Sequence, residues 1–251
     1  IMELLDKKIL LVLIGLITFF LLENLFPKES FKYKKKIKRI CKNLTLWLLN
    51  VGFTPILILP ITIYATTLNL NNIFAINNIY IQFIFHLMIY DIFLYFWHRA
   101  NHEVKFLWRF HHVHHLDETL DVSSGLRFHF GEVLLSTVVR CSVIVIFNIT
   151  LFNLLLIEAL VLISSVFHHS NIKLPKKLEK ILSYIIVTPS IHWVHHHKRQ
   201  KETDSNYCAI FSFWDFLFGT KSNFKRRTGM PIGVEGDREQ VLSKLITRPF
   251  K

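Results

Sequence analysis

Twelve of the 14 histidines in this chain fall in three patches: HRANH with HHVHH (98–115), FHHSN (167–171) and HWVHHH (192–197). On a helix His98 and His102, at i and i+4, project from one face one turn apart. His111, His114 and His115 repeat i, i+3, i+4, as do His192, His195 and His196, so each triplet presents three imidazoles together. Eight neutral imidazoles exceed the needs of one zinc site, which closes with four ligands, and suit two metal ions at four or five ligands each. A lone histidine pair is more often packing or surface, and a run such as His195 to His197 also fits a pH-sensing or headgroup patch. Three clusters of matching spacing outweigh that reading. His112 and His197 fall on the opposite side of their turns, and His86, inside an apolar run, is expected to pack between helices. Spacing does not choose among iron, zinc, copper and nickel, all of which accept imidazole. Asp91 shares the helical stripe of His98 and His102, so it is expected to accept from a ligand histidine; a cap or an ion pair with Arg99 is the alternative.

The elements that carry these residues are written in the hydropathy. The chain has 251 residues, 51% of them hydrophobic, with 23 Phe and a mean hydropathy of +0.36, which excludes a disordered tail or a disulfide-rich miniprotein and points to lipid as solvent. Ile9 to Leu22, extendable to Phe26, reads as a membrane anchor, because no small-x-small cleavage pattern follows and a basic stretch does. From Asn43 to Tyr90 there is no Asp, Glu, Lys or Arg, too long a run for one crossing of a ~30 Å hydrocarbon layer. It divides into Leu44–Leu68 and Ile79–Trp97 at the Asn-rich patch 69–78, with Pro55 and Pro60 kinking the first. Val133 to Phe167, interrupted by Arg140 and Glu158, reads as a helical hairpin turning at 148–153, its arms spanning or re-entrant. The fold class is therefore all-α integral membrane, with about three transmembrane helices plus this hairpin. A helical cap carries the histidine clusters, and the polar tail after Thr220 is expected to be partly loose.

Charge orients the molecule. The net charge is +12, but the basic residues lie between apolar runs, so the partner they suggest is anionic lipid and not nucleic acid. Loop 27–43 holds eight Lys or Arg and one Glu, which places it in the cytoplasm. Two crossings later His98 onward is cytoplasmic again, and so, after the hairpin, is everything from His168 to Lys251. Cys41, Cys141 and Cys208 match no C-x-x-C spacing and read as reduced thiols.

Taken in order, HRANH, LWRFHHVHH, LRFHFGE, FHHSN, HWVHHH and ETDSNY with WDFLFGT resemble the fatty acid hydroxylase / sterol desaturase superfamily of membrane-bound di-iron oxygenases. The resemblance covers roughly residues 85 to 220. The family motifs H-x3-H, H-x2-HH and H-x2-HH match His98/His102, His111/His114/His115 and His192/His195/His196. It implies two irons in a cytoplasmic cap, O2 as co-substrate and hydroxylation or desaturation of a fatty acyl or sterol-like lipid. It further implies His169 as a ninth ligand, and Arg127 and His129 near the site, with His129 a candidate tenth. The chain departs from the family pattern at His112, Phe130 and Cys208. Asn206 and Asp204, in ETDSNY, are expected either to support the last cluster from behind or to hold a turn. Residues 1–78 then form N-terminal membrane helices, 79–220 the catalytic domain and 221–251 a basic tail. With no G-x-G-x-x-G, C-x-x-C-H or iron–sulfur spacing, electrons are expected from a separate ferredoxin, cytochrome b5-like protein or reductase. The competing readings are a di-zinc membrane hydrolase, which would turn over without O2, and a non-enzymatic metal-binding membrane protein.

Overall fold

The apolar run at the N-terminus has neither Pro nor an isolated charge to break it between Ile9 and Leu22, and it forms one long helix, α1 (Met2–Leu25). The structure, a computed structural model, describes residues 2–31, 33–68, 74 and 76–251, with the backbone alone for 33–35. Most of the Asn-rich break at 69–78 therefore lies outside the described residues. The basic stretch expected to be a loop is helical: α2 (Tyr33–Phe53) starts well before Leu44. Lys, Arg and Leu are good helix formers, and the helix gives Arg39 a buried partner, as described below. The two prolines are absorbed without a break. A π-helical turn at Thr54–Ile58 leads directly into α3 (Leu59–Thr67), a wider turn being one way to accommodate Pro55 and Pro60, which lack an N–H.

Asn78 caps α4 (Ile79–Glu103), its Oδ1 accepting from the amides of Tyr80 and Ile81 at 3.0 and 3.1 Å. The helix continues past the expected end at Trp97 and so carries His98 and His102 on its last turns. Val104 then adopts an extended conformation and the chain turns into α5 (Lys105–His115). The hairpin is present as α6 (Phe130–Ile146) and α7 (Leu151–His169), with Asn148 in the left-handed region at φ 51° in the connection and Thr150 capping α7. Four segments are long and apolar enough to cross a membrane: Met2–Leu25, Lys36–Thr67, Ile79–Glu103 and Leu151–His169. Of the hairpin arms only α7 qualifies. Its one acid, Glu158, is paired with Lys8 of α1 at 2.6 Å and with Arg140 of α6 at 3.0 Å, which ties three helices together where an isolated charge would be costly.

Short helices complete the cap: α8 (Lys176–Leu182), α9 (Pro189–His195), α10 (Gln200–Thr203), α11 (Phe213–Leu217) and α12 (Leu242–Thr247). Among the described residues there is no strand, only isolated antiparallel bridges such as Pro27 with Ile172 and His197 with Ile232. The tail is not loose. Leu245 is fully buried among Leu46, Val113 and Leu116, and Glu239 pairs with Arg127. Apolar residues spaced through a basic segment (Ile232, Val234, Leu242, Leu245, Ile246) supply the burial that its overall polarity concealed.

Candidate metal centre

Nine histidines converge in two sets. His98 and His102 from the end of α4, His111 and His115 from α5 and His195 from α9 form one; His114, His169, His192 and His196 form the other. Within each set one ring nitrogen per residue lies within 4.8 Å of all the others. Each triplet is split: the i, i+4 pair (His111/His115, His192/His196) serves one set and the residue between them (His114, His195) serves the other. That partition follows from α5 and α9 lying across the junction of the two sets with opposite assignments. The 3-10 turn Val122–Leu126 packs closely on α7 near His169; a Cβ on Gly125 would stand 2.9 Å from the carbonyl oxygen of Ser165, the same oxygen that receives the His169 ring.

The hydrogen bonds fix which ring nitrogen is free. His98 donates Nδ1–H to the carbonyl of Tyr207 (2.8 Å), His114 to that of Arg127 (3.0 Å), His169 to that of Ser165 (2.7 Å) and His195 to that of Ser205 (2.7 Å). His111 Nδ1 lies 2.9 Å from Glu132 Oε1, and His102 Nδ1 lies 3.3 Å from Asp204 Oδ1. A carbonyl can only accept, so in these rings the proton sits on Nδ1 and Nε2 carries a bare lone pair. Two of those lone pairs face each other: His169 Nε2 lies 3.1 Å from His114 Nε2. His98, His102 and His195 leave Nε2 buried with no partner. Such an arrangement is repulsive unless a cation sits between the rings, and neutral imidazole nitrogens are donors that first-row transition metals take. Burial, reinforced by the neighbouring imidazoles, pushes His114, His115, His192, His195 and His196 well below the usual histidine pKa. They are thus held neutral, the form that binds metal.

Four other expected site residues lie elsewhere. His129 stands in neither set: Nδ1 accepts from the Gly131 amide (3.0 Å) and Nε2 donates to the Ile246 carbonyl (3.0 Å), so both nitrogens are engaged in capping α6 and holding the tail. Asp91 contacts no histidine. Its carboxylate receives the amides of Ile210 and Phe211 and the Trp214 indole N–H, fixing the segment whose Tyr207 carbonyl orients His98. Arg127 is fully buried and engaged with the Val113 carbonyl, Asn43 and Glu239; only its backbone carbonyl reaches the centre. Asn206 holds a turn, at φ 55°, donating to the Ile191 carbonyl and accepting from the Ser222 amide. His112 is turned to Arg248 and His197 to the Arg199 amide. Glu132 was missed by the sequence reading, although an acid at the head of a long apolar run was the available signal. Glu132→Ala is expected to weaken metal binding about 10- to 100-fold, measured by competition with a chromophoric chelator.

A cavity of about 130 Å3 adjoins both sets, walled by Leu94, Trp97, Phe128, Val161 and Ala209. An all-helical membrane protein with a two-set histidine centre beside an apolar cavity defines the class. The family model for fatty acid hydroxylases matches residues 83–220, more than half the chain, and the chain belongs to that family. Among curated relatives it is 31% identical over 169 residues to the ornithine lipid hydroxylase OlsE of Rhizobium tropici, covering 67% of this chain and 50% of that protein. It is 32% identical over 130 residues to alkylglycerol monooxygenase of Danio rerio (52% and 28%), and 26% identical over 147 residues to cholesterol 25-hydroxylase of Mus musculus (53% and 44%). The chain thus spans about half or less of the length of these relatives. No solved structure matches it significantly.

Proposed function

We propose that the chain is a membrane-embedded di-iron oxygenase that hydroxylates a C–H bond of a lipid, using O2 and electrons from a separate redox protein. The observation that carries the reading is the pair of histidine sets, in which hydrogen bonds at Nδ1 leave Nε2 of His98, His102, His111, His114, His169 and His195 as a free donor. That these three relatives are named as lipid hydroxylases or monooxygenases supports the choice of reaction. The larger set would hold one iron and the smaller set the other, and together they would supply the O2 activation that side chains alone do not perform. The protein's own share is orientation and exclusion. Carbonyl acceptors and the Glu132 carboxylate lock the rings, and the apolar wall of Leu94, Trp97, Phe128 and Val161 admits hydrocarbon while keeping bulk water out.

A second cavity, of about 310 Å3, opens at His102, Trp108 and Asp204. The Trp108 ring lies 5.0 Å from that of His102 and 5.4 Å from that of His115, which makes this the face where we place the electron donor. The excess of basic residues around α2 supports a cytoplasmic assignment for this face, the clusters and the C-terminus. The test is to load the detergent-purified protein anaerobically with ferrous iron and supply membrane lipid extract, a ferredoxin and its reductase, and isotopically labelled O2. A lipid product that gains one labelled oxygen is the expected result. Turnover that persists without O2, or zinc that iron does not replace, would overturn the assignment in favour of a hydrolase.

A further inference from the structure

The cap carries a second charged cavity, away from the histidine sets. Lys176, Lys180, Lys221, Lys225 and Arg226 line a surface pocket of about 450 Å3 in which Glu179 is the sole carboxylate. Glu179 is already engaged, its Oε1 accepting from the Ser190 amide at 3.0 Å. Among the described residues none of the five cations forms an ion pair. Arg226 stands out among them. Its guanidinium lies 3.5 Å over the Trp193 ring, and its Nε and Nη2 are buried with no hydrogen-bond partner. Burial pushes its pKa down to about 10, so it remains charged at neutral pH. A half-buried guanidinium with two idle donors is costly to leave unpaired, and a planar fork beside several ammonium groups is the arrangement that receives phosphoryl oxygens.

The surroundings indicate where the phosphoryl group comes from. Tyr184 and Ile185, which directly follow Ser183 of the pocket wall, are exposed, as are Phe216 and Leu217 on α11, Phe216 to 78%. The two segments are joined by hydrogen bonds from the Ser212 amide to Ile185 O (3.1 Å) and from Ser212 Oγ to Ser183 O (2.9 Å). Basic side chains next to exposed aromatic and aliphatic ones are the mark of a surface that sits in the headgroup layer. We propose that this cavity binds the phosphoryl headgroup of an anionic phospholipid, with Arg226 and the flanking lysines as its ligands. The site is linked to the metal centre. Trp193, under the guanidinium, donates to the carbonyls of His169 and Ser170 and follows His192 directly, so a bound headgroup braces α9 from outside.

Native mass spectrometry of the full metal-loaded protein in detergent tests this, with dioctanoyl phosphatidic acid, dioctanoylglycerol and inorganic phosphate as probes. A saturable phosphatidic acid adduct is expected, with none for dioctanoylglycerol. Both Arg226→Ala and the double variant Lys221→Gln/Lys225→Gln should weaken it at least tenfold. The double variant changes only exposed residues and leaves the Trp193 stack intact, and metal content reports that each variant is folded. Undiminished lipid binding in the double variant would overturn the proposal. So would inorganic phosphate displacing the lipid at equal concentration, which would make the pocket a site for free phosphate and not for a headgroup.

Discussion

Replacing His114 by alanine should lower the iron bound after loading from about two ions per chain to about one, and should reduce turnover at least about a thousandfold, since the smaller set would keep only three of its four ligands. The larger set, whose five histidines do not include His114, should retain its ion. His112, two residues earlier on the same helix, offers the contrast. Its Nδ1 accepts from Arg248 Nε at 2.9 Å and its ring stacks on Trp108 at 5.2 Å, so His112→Ala should cost about 1 kcal/mol of stability and leave metal content within about twofold. Elemental analysis and oxygen consumption on the two variants decide the matter. Loss of both ions from His114→Ala would mean that the sets do not fill independently. Equal losses from the two variants would mean that the face of α5 turned to the centre has been misassigned.

The existence of the centre was legible in the sequence because helical spacing alone brings His111, His114 and His115 to one side of a turn. The division into five and four was not. It depends on how α5 and α9 cross, which no local pattern encodes: the same i, i+3, i+4 motif sends its middle residue to the smaller set in α5 and to the larger in α9. Asp91 shows the limit of reasoning by stripe. It shares a face with His98 but stands two turns below it, about 10 Å along the axis, and meets whatever packs at that depth, which is the segment from Ile210 to Trp214 at the start of α11. His129 was placed near the centre by resemblance, and it does stand beside Phe110. The tail, whose position no periodicity could reveal, takes its Nε2. The hairpin was readable for a different reason: an apolar run broken only by Arg140 and Glu158 and too long for one crossing must fold back, and residues 147–150 are where it does.

The basic stretch that opens α2 carries the other large effect. Arg39→Ala is expected to destabilise the protein by about 3–5 kcal/mol, because it leaves buried carboxylates without their cation. Arg39 Nη1 donates to Asp117 Oδ2 at 2.7 Å and to Ser124 Oγ at 3.0 Å, and Nη2 donates to Asp121; the Asp117 and Asp121 side chains are wholly buried. Lys38, its neighbour in sequence, is exposed, and Lys38→Ala should change stability by no more than about 0.5 kcal/mol. Denaturant unfolding of the two variants in the same detergent separates two roles for one charge run. If the run acts only as a sum of charge at the membrane surface, the two losses will be equal. If Arg39 is the pin that fastens α2 to the cap, its variant alone will unfold early and will also lose metal from the smaller set. The Asp117–Asp121 turn leads through the 3-10 segment to Arg127, and the Arg127 carbonyl is what holds the His114 ring in place.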